Sequence, residues 1–168
     1  MTATPTASPT PIPTATGTDT TSWNTYLNDT YSFRFKFPPG SITASQSDTG
    51  GRVILPIAAG TNLRQKVLDV SVVEGVSPCK SPGTNPMATS ENVTFNGIQF
   101  LKETWGEGAT SHRGDITAYS TAKGNACITM SFLLWSVVAE VLETPPPLFD
   151  RAAESAVFTT IMSTYADQ

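Results

Sequence analysis

Charged residues are scarce in this chain. They make up 14% of its 168 residues, whereas soluble domains average about 25%. Only ten are lysine or arginine, they form no cluster, and the formal net charge is -4. Nucleic acids and anionic membrane surfaces attract basic patches, so we expect neither as a partner. The surface is therefore expected to be neutral and polar, a composition that we associate with proteins outside the cytoplasm.

Histidine occurs once, at His112, which excludes a metal site built from several histidines. A Ser-His-Asp triad would have to use this residue, yet the chain has no Gly-x-Ser-x-Gly elbow. Walker, Rossmann and EF-hand motifs are also missing, and no pair of acids stands out by its spacing. We therefore expect no catalytic residue, no cofactor and no metal, and we interpret His112 as a surface residue. A hydrolase that uses His112 is kept as an alternative.

No run of about eighteen apolar residues occurs, so we expect no direct insertion of the domain into a membrane. Residues 1–22 are rich in Thr and Pro, lack aromatic and basic residues, and therefore predict a disordered linker. They also lack the basic and apolar regions of a signal peptide. We interpret them as a spacer in which Met1 replaces a removed export signal, such as a lipoprotein signal with its lipidated cysteine, and the alternative is a plain unstructured terminus. Residues 23–168 predict a single domain.

Cysteine occurs only at Cys79 and Cys127. A bond between them would stabilise the fold by about 4 kcal/mol in the chain-entropy description. The chain has no CxxC motif, which argues against a redox or metal pair. Because the linker points to an oxidising compartment, we predict a disulfide, with two unrelated buried thiols as the alternative.

The stretch from Ala126 to Ser136 is the one that predicts a strand covered by protein on both sides. Alternate positions give two apolar sets, Ile128, Met130, Phe132 and Leu134 on one face, and Cys127, Leu133 and Trp135 on the other. None of these eleven residues is charged, and natural sheets avoid such a strand at an edge. We therefore place it in the middle of a sheet.

The other predicted elements are arranged around this strand. Further β-strands are expected at 31–37, 52–57, 63–73, 93–105 and 115–122, with a hairpin at Asn96-Gly97 and a second turn at 123–125. Pro56 ends its strand or restricts it to an edge. Loops are expected at 41–51, 74–91 and 106–114. A helix over 150–164, capped by Asp150, is expected to cover one face of the sheet. The fold class is α+β, an antiparallel sheet of about six strands flanked by helices.

Several short motifs resemble bacterial extracytoplasmic domains of secreted proteins and lipoproteins that begin with a Thr/Pro linker. The matching residues are Trp23, Tyr26 and Asn28, the run from Tyr31 to Pro38, the stretch at Gly108, Asn125 to Cys127, Phe149-Asp150, and Ile161 with Ser163-Thr164. Such domains are similar to the PsbP-like fold, named for the extrinsic subunit of photosystem II. The resemblance implies an antiparallel sheet flanked by helices, including one at the C-terminus, and a non-catalytic protein that docks on other proteins.

Together these features predict a non-catalytic extracytoplasmic binding or structural module. We expect it to be a monomer, either secreted or lipid-anchored on the outer face of the cytoplasmic membrane, that docks on an envelope or extracellular protein. The candidate binding surface consists of Trp105, His112, Arg113 and Tyr119. An alternative function is binding of a small molecule or glycan in a groove lined by Trp105, Tyr119 and Trp135.

Overall fold

The computed structural model describes residues 18–168. Most of the predicted linker lies outside the described residues. The described elements are β1 (Asn24–Asn28), β2 (Phe33–Phe37), β3 (Ile42–Ser47), β4 (Gly50–Ile54), β5 (Leu63–Glu74), β6 (Thr89–Phe95), β7 (Ile98–Ala109), β8 (His112–Lys123), β9 (Ala126–Val137), a single 3-10 turn (Ala139–Val141), α1 (Arg151–Ser163) and β10 (Ala166–Asp167).

Strand β9 occupies the centre of a seven-stranded antiparallel sheet. The strand order is β3-β4-β5-β9-β8-β7-β6, so β9 is the fourth of seven strands. Its pairing with β8 begins at a tight turn, where Lys123 faces Ala126, and continues to His112 opposite Val137. The central placement predicted for residues 126–136 is confirmed, and so are the hairpin turns at Asn96-Gly97 and before Ala126.

One face of this sheet, the inner face, is filled by aromatic and aliphatic side chains. Ile128, Met130, Phe132 and Leu134 of β9 all project there, and each is at most 1% exposed. Helix α1 covers part of this face, where the rings of Phe158 and Phe132 stack with centroids 4.4 Å apart. As predicted, Asp150 caps α1, because its carboxylate accepts a hydrogen bond from the backbone N–H of Ala153.

The rest of the inner face packs against a second, three-stranded sheet of order β1-β2-β10. The alternation read from residues 31–37 is present in β2, where Phe33, Phe35 and Phe37 are buried and Arg34 is exposed. The backbone N–H of Lys36 donates to the hydroxyl of Thr164, which links this sheet to the end of α1. The core is therefore a layer between the large sheet and a mixed layer of one helix and three strands.

Three predictions about the elements were wrong. The described residues form ten strands in two sheets rather than about six in one, and a single α-helix, so α+β fits only loosely. The expected loop at 41–51 is the hairpin of β3 and β4, whose first strand is exposed at every position and carries no apolar alternation. The expected loop at 106–114 is the paired ends of β7 and β8, a polar ribbon that turns at Thr110-Ser111. Strand β4 ends at Ile54, before Pro56, with β3 outside it.

The predicted disulfide between Cys79 and Cys127 is present. It joins the loop of residues 75–88, which we call the disulfide loop, to Cys127, the second residue of β9. The backbone N–H of Ser81 in this loop donates a hydrogen bond of 2.8 Å to the buried carboxylate of Glu103 in β7. The loop is thus held at two points, one covalent and one polar.

An ion pair is buried between the large sheet and the helix. Lys66 of β5 points its ammonium group at the carboxylate of Glu154 in α1, and the two side chains are 5% and 15% exposed. Because taking charges out of water is costly, each of these groups depends on the other for compensation. The contact fixes α1 in position across the sheet.

Removing one charge of this pair is expected to destabilise the fold strongly. Lys66→Met leaves the carboxylate of Glu154 without a partner, which should lower the free energy of unfolding by about 3–5 kcal/mol. Adding Glu154→Leu to this variant should restore most of the lost free energy, because no unpaired charge then remains buried. Urea unfolding followed by circular dichroism measures both variants. Arg52→Met is the matched control, because Arg52 and Asp69 are 55% and 39% exposed and such pairs are worth about 1 kcal/mol or less. An equal loss in Lys66→Met and Arg52→Met would contradict this role.

Replacing both cysteines with alanine is expected to lower the unfolding free energy by about 4 kcal/mol, because the bond closes a chain separation of 48 residues. Urea titration of the double variant and of the oxidised protein gives this difference. A difference below about 1 kcal/mol would mean that the disulfide loop is restrained without the bond.

Candidate functional site

The face of the large sheet that points away from α1, the outer face, is covered at one end only. Cys127 and Thr129 of β9 lie beneath the disulfide loop and are 3% and 2% exposed. Farther along the strand, Leu133 and Trp135 are only partly buried. The expectation that β9 is covered on both sides therefore holds for its first half, whereas the outer side of its second half meets solvent.

A continuous line of apolar side chains crosses this open part of the outer face. Each residue is the register partner of the next on the neighbouring strand, and the line spans six strands from β3 to β7. We call it the apolar row: Ile42, Ile54, Val67, Leu133, Ile116 and Trp105. Directly opposed residues in antiparallel strands place their side chains on the same face, so these six form a single band.

The members of the apolar row differ in exposure. Ile42 at the edge of the sheet is 63% exposed and Ile54 beside it is 38% exposed. Val67 and Ile116 are only 5% and 7% exposed, whereas Leu133 between them and Trp105 at the far end are partly exposed. The row thus presents apolar surface to solvent at four of its six positions.

Trp135 lies beside the apolar row and is held in position by a glycine and a histidine. A Cβ atom built on Gly114, its register partner on β8, would lie 3.3 Å from the indole and 3.2 Å from Leu133, so the absent side chain makes room for the ring. The ring of His112 stacks on the indole with centroids 5.5 Å apart. Nδ1 of His112 is 2.9 Å from the hydroxyl of Ser111. The indole is therefore held in position and only partly exposed to solvent.

One pair of opposite charges lies on the outer face beside the apolar row. Arg52 on β4 forms a two-point contact with Asp69 on β5, with N···O distances of 2.6 and 2.8 Å. The hydrogen bond from Arg52 to Asp69 raises the pKa of the guanidinium above its already high ordinary value. Beside Ile54 and Val67, the open surface thus combines apolar area with a neutralised charge pair.

The four residues predicted as a binding surface are not brought together as one patch. Trp105 and His112 both project on the outer face. Tyr119 projects on the inner face, where it is 3% exposed and contacts the ring of Phe132, so its inclusion was wrong. Burial raises the pKa of its phenol. Arg113 lies at the end of the sheet, and its Nε donates to Asp115.

The residues that complete the apolar row could not be recognised from the sequence. Leu133 was predicted on the face of β9 opposite Phe132, but Ile42 lies in a stretch predicted to be a loop, and Ile54 was not singled out. Their alignment depends on the register of five strand pairs. Period-two alternation gives the face of each residue within one strand, but it does not give the register between strands.

Within residues 18–168, no group of three or more His, Cys, Asp and Glu side chains could hold a metal ion. No helix in the same residues is long and apolar enough to span a bilayer.

Comparison with known proteins places this architecture among PsbP-like folds. No family model and no curated protein matches the chain. Cyanobacterial PsbP (CyanoP) from Synechocystis has a TM-score of 0.52 at 14% identity over 92% of this chain and 96% of its own. The Ran-binding protein Mog1p from Saccharomyces cerevisiae has a TM-score of 0.56 at 11% identity, over 86% of this chain and 95% of Mog1p. A protein from Bacteroides thetaiotaomicron has a TM-score of 0.54 at 10% identity. The match covers 86% of this chain and 48% of the Bacteroides protein, so this chain spans about half the length of that protein.

Substituting the glycine beneath Trp135 is expected to displace the indole. Gly114→Ala places a Cβ within 3.3 Å of Trp135 and Leu133, which should cost about 1–3 kcal/mol and change the near-ultraviolet circular dichroism of the tryptophans. Gly106→Ala is the matched control, because a Cβ built there has no neighbour closer than 3.7 Å. An unchanged spectrum in Gly114→Ala would show that the indole is not seated on this glycine.

Proposed function

We propose that this chain is a non-catalytic protein-binding module that docks through the apolar row and Trp135 of its outer face. The observation that carries the proposal is the row itself, which is continuous across six strands and reaches solvent at Ile42 and Ile54 and in part at Leu133 and Trp105. Contiguous apolar area of this kind on a folded domain is typical of interaction sites. Leu133, Trp105 and Trp135 are the residues that we expect to contribute most to binding, since tryptophan is enriched among residues that dominate interface energies.

The shape of the surface favours a protein as the partner. Six adjacent strands spaced by about 4.8 Å give the row a length of roughly 24 Å, which is comparable to a protein interface rather than to a small-molecule pocket. The row is flanked by the neutralised pair of Arg52 and Asp69, so docking buries no unpaired charge at this point. The yeast neighbour Mog1p is a Ran-binding protein, so this fold can carry a protein-binding surface.

We further propose that the domain works outside the cytoplasm, on a spacer formed by residues 1–22. The disulfide between Cys79 and Cys127 supports an oxidising compartment, because such bonds are rare where thiols are kept reduced. The low content of charged residues and the Thr/Pro-rich composition of the spacer support the same location. A spacer of this kind would let the outer face reach a partner at the envelope.

Binding of a glycan is the second candidate, and one observation favours it. Trp105 and Trp135 lie on the same open face, so sugar rings could stack on both indoles. The hydrolase alternative has less support, because the ring of His112 stacks on Trp135 and its Nδ1 contacts Ser111 rather than an acid.

Site-specific photocrosslinking distinguishes a protein partner from a glycan. A photoreactive amino acid at Leu133 is expected to capture one discrete protein band in the envelope of the source organism. The matched control is the same amino acid at Leu148, which is 69% exposed and is not a member of the apolar row. A double variant that carries Trp135→Ser in addition to the photoreactive amino acid at position 133 should capture at least tenfold less of this protein, because the indole that contributes most to binding is removed. Equal bands from positions 133 and 148, or products that only glycosidases remove, would contradict docking on a protein.

A further inference from the structure

Two arginines converge on one aspartate at the end of the sheet where β8 begins. Arg151, the first residue of α1, makes a two-point contact with Asp115, with N···O distances of 3.0 and 2.9 Å. Arg113 reaches the same carboxylate through its Nε at 3.0 Å. Both guanidinium groups are about half exposed, whereas Asp115 is 16% exposed. The cluster carries one net positive charge in a chain whose net charge is -4.

Arg113 has hydrogen-bond donors that its contact with Asp115 does not use. Its single hydrogen bond to Asp115 uses Nε, and within residues 18–168 its two terminal nitrogens have no hydrogen-bond partner. A guanidinium group presents its donors as a planar fork that matches the oxygens of a carboxylate or phosphate. Asp115 thus orients Arg113 and leaves its outer donors available for a second anion.

This cluster borders a pocket of about 380 Å³ on the inner side of the sheet, next to α1. Four residues with hydroxyl groups also line the pocket, and they come from three strands and the helix: Thr89, Thr104, Thr117 and Ser155. The pocket also meets the buried side chains of Leu134 and Phe158, which are 1% and 2% exposed. A small pocket with a few converging polar groups over an apolar base is typical of a ligand site.

Three of the acids near this pocket are already paired, whereas Glu107 and Glu140 line two neighbouring pockets that Arg113 also borders. Glu91 on β6 contacts Lys102 at 2.7 Å, and Glu154 on α1 contacts Lys66. Asp115 is shared by two guanidinium groups. The positive charge of the cluster is therefore not cancelled by these three paired carboxylates.

We infer that the pocket bordered by Arg113, Arg151 and the four hydroxyl residues binds a small hydroxylated molecule that carries a carboxylate or a phosphate. The anion contacts the terminal nitrogens of Arg113, and the hydroxyl groups of the molecule exchange hydrogen bonds with the threonine and serine side chains. Arg113 and Thr117 lie on the opposite face of β8 from Ile116 of the apolar row, although Ile116 and Trp105 also line the pocket, so the side chains that would bind the anion are not the ones proposed for docking.

Isothermal titration calorimetry of the full chain at low salt tests the inference with three probes. Glucuronate supplies the carboxylate, glucose 6-phosphate supplies the phosphate, and glucose is the neutral reference. At least one anionic probe is expected to bind ten times more tightly than glucose. Arg113→Met should weaken binding of that anionic probe at least tenfold, because the substitution removes the guanidinium group while keeping an apolar side chain. Binding of one anion alone identifies which oxyanion the pocket takes.

The control variant is Arg52→Met, which removes a similarly exposed arginine from the outer face. It is expected to bind the anion as tightly as the unchanged chain. The inference is wrong if neither anion binds more tightly than glucose, if Arg113→Met binds as the unchanged chain does, or if both variants lose affinity equally. In the last case the anions respond only to the overall charge of the protein.

Discussion

Strand β9 is paired on both edges, with β5 on one side and β8 on the other, and the remaining elements are arranged around it. The strand is fourth of seven and carries no charged side chain, so both its edges must be paired and its inner face must be covered. Phe132 and its inner-face neighbours are sealed by α1 and by the three-stranded sheet. The ion pair of Lys66 with Glu154 fixes the position of the helix over this layer, and the disulfide at Cys127 anchors a loop on the opposite face.

The two faces of the same sheet therefore have different roles. The inner face is filled by aromatic rings, which gives the fold its stability, since burial of large apolar side chains is the dominant favourable contribution. The outer face is covered by the disulfide loop at one end and open at the other. At the open end, Leu133 and Trp135 alternate in sequence with the buried residues Phe132 and Leu134. The alternation of one strand thus supplies both the core and the surface proposed for docking.

Much of the fold could be predicted from the sequence because its strongest patterns are local. The alternation in 31–37, the Asn96-Gly97 turn and the uncharged stretch around Phe132 each reflect short-range rules of strand geometry and turn conformation. The hairpin of β3 and β4 could not be predicted, since its first strand is exposed throughout and is defined by pairing rather than by burial. Tyr119 was misplaced for a related reason, because an aromatic residue on a strand does not reveal which face it occupies until the register is known.

Strand β9 is buried on its inner face and partly exposed on its outer face beyond the disulfide loop. Hydroxyl-radical footprinting of the isolated chain, analysed by mass spectrometry, distinguishes the two faces. Trp135 and Leu133 are expected to be oxidised, whereas Phe132 and Phe158 are expected to be protected. Oxidation of Phe132 as fast as that of Trp135, or protection of Trp135 and Leu133 as complete as that of Phe132, would contradict this difference between the two faces.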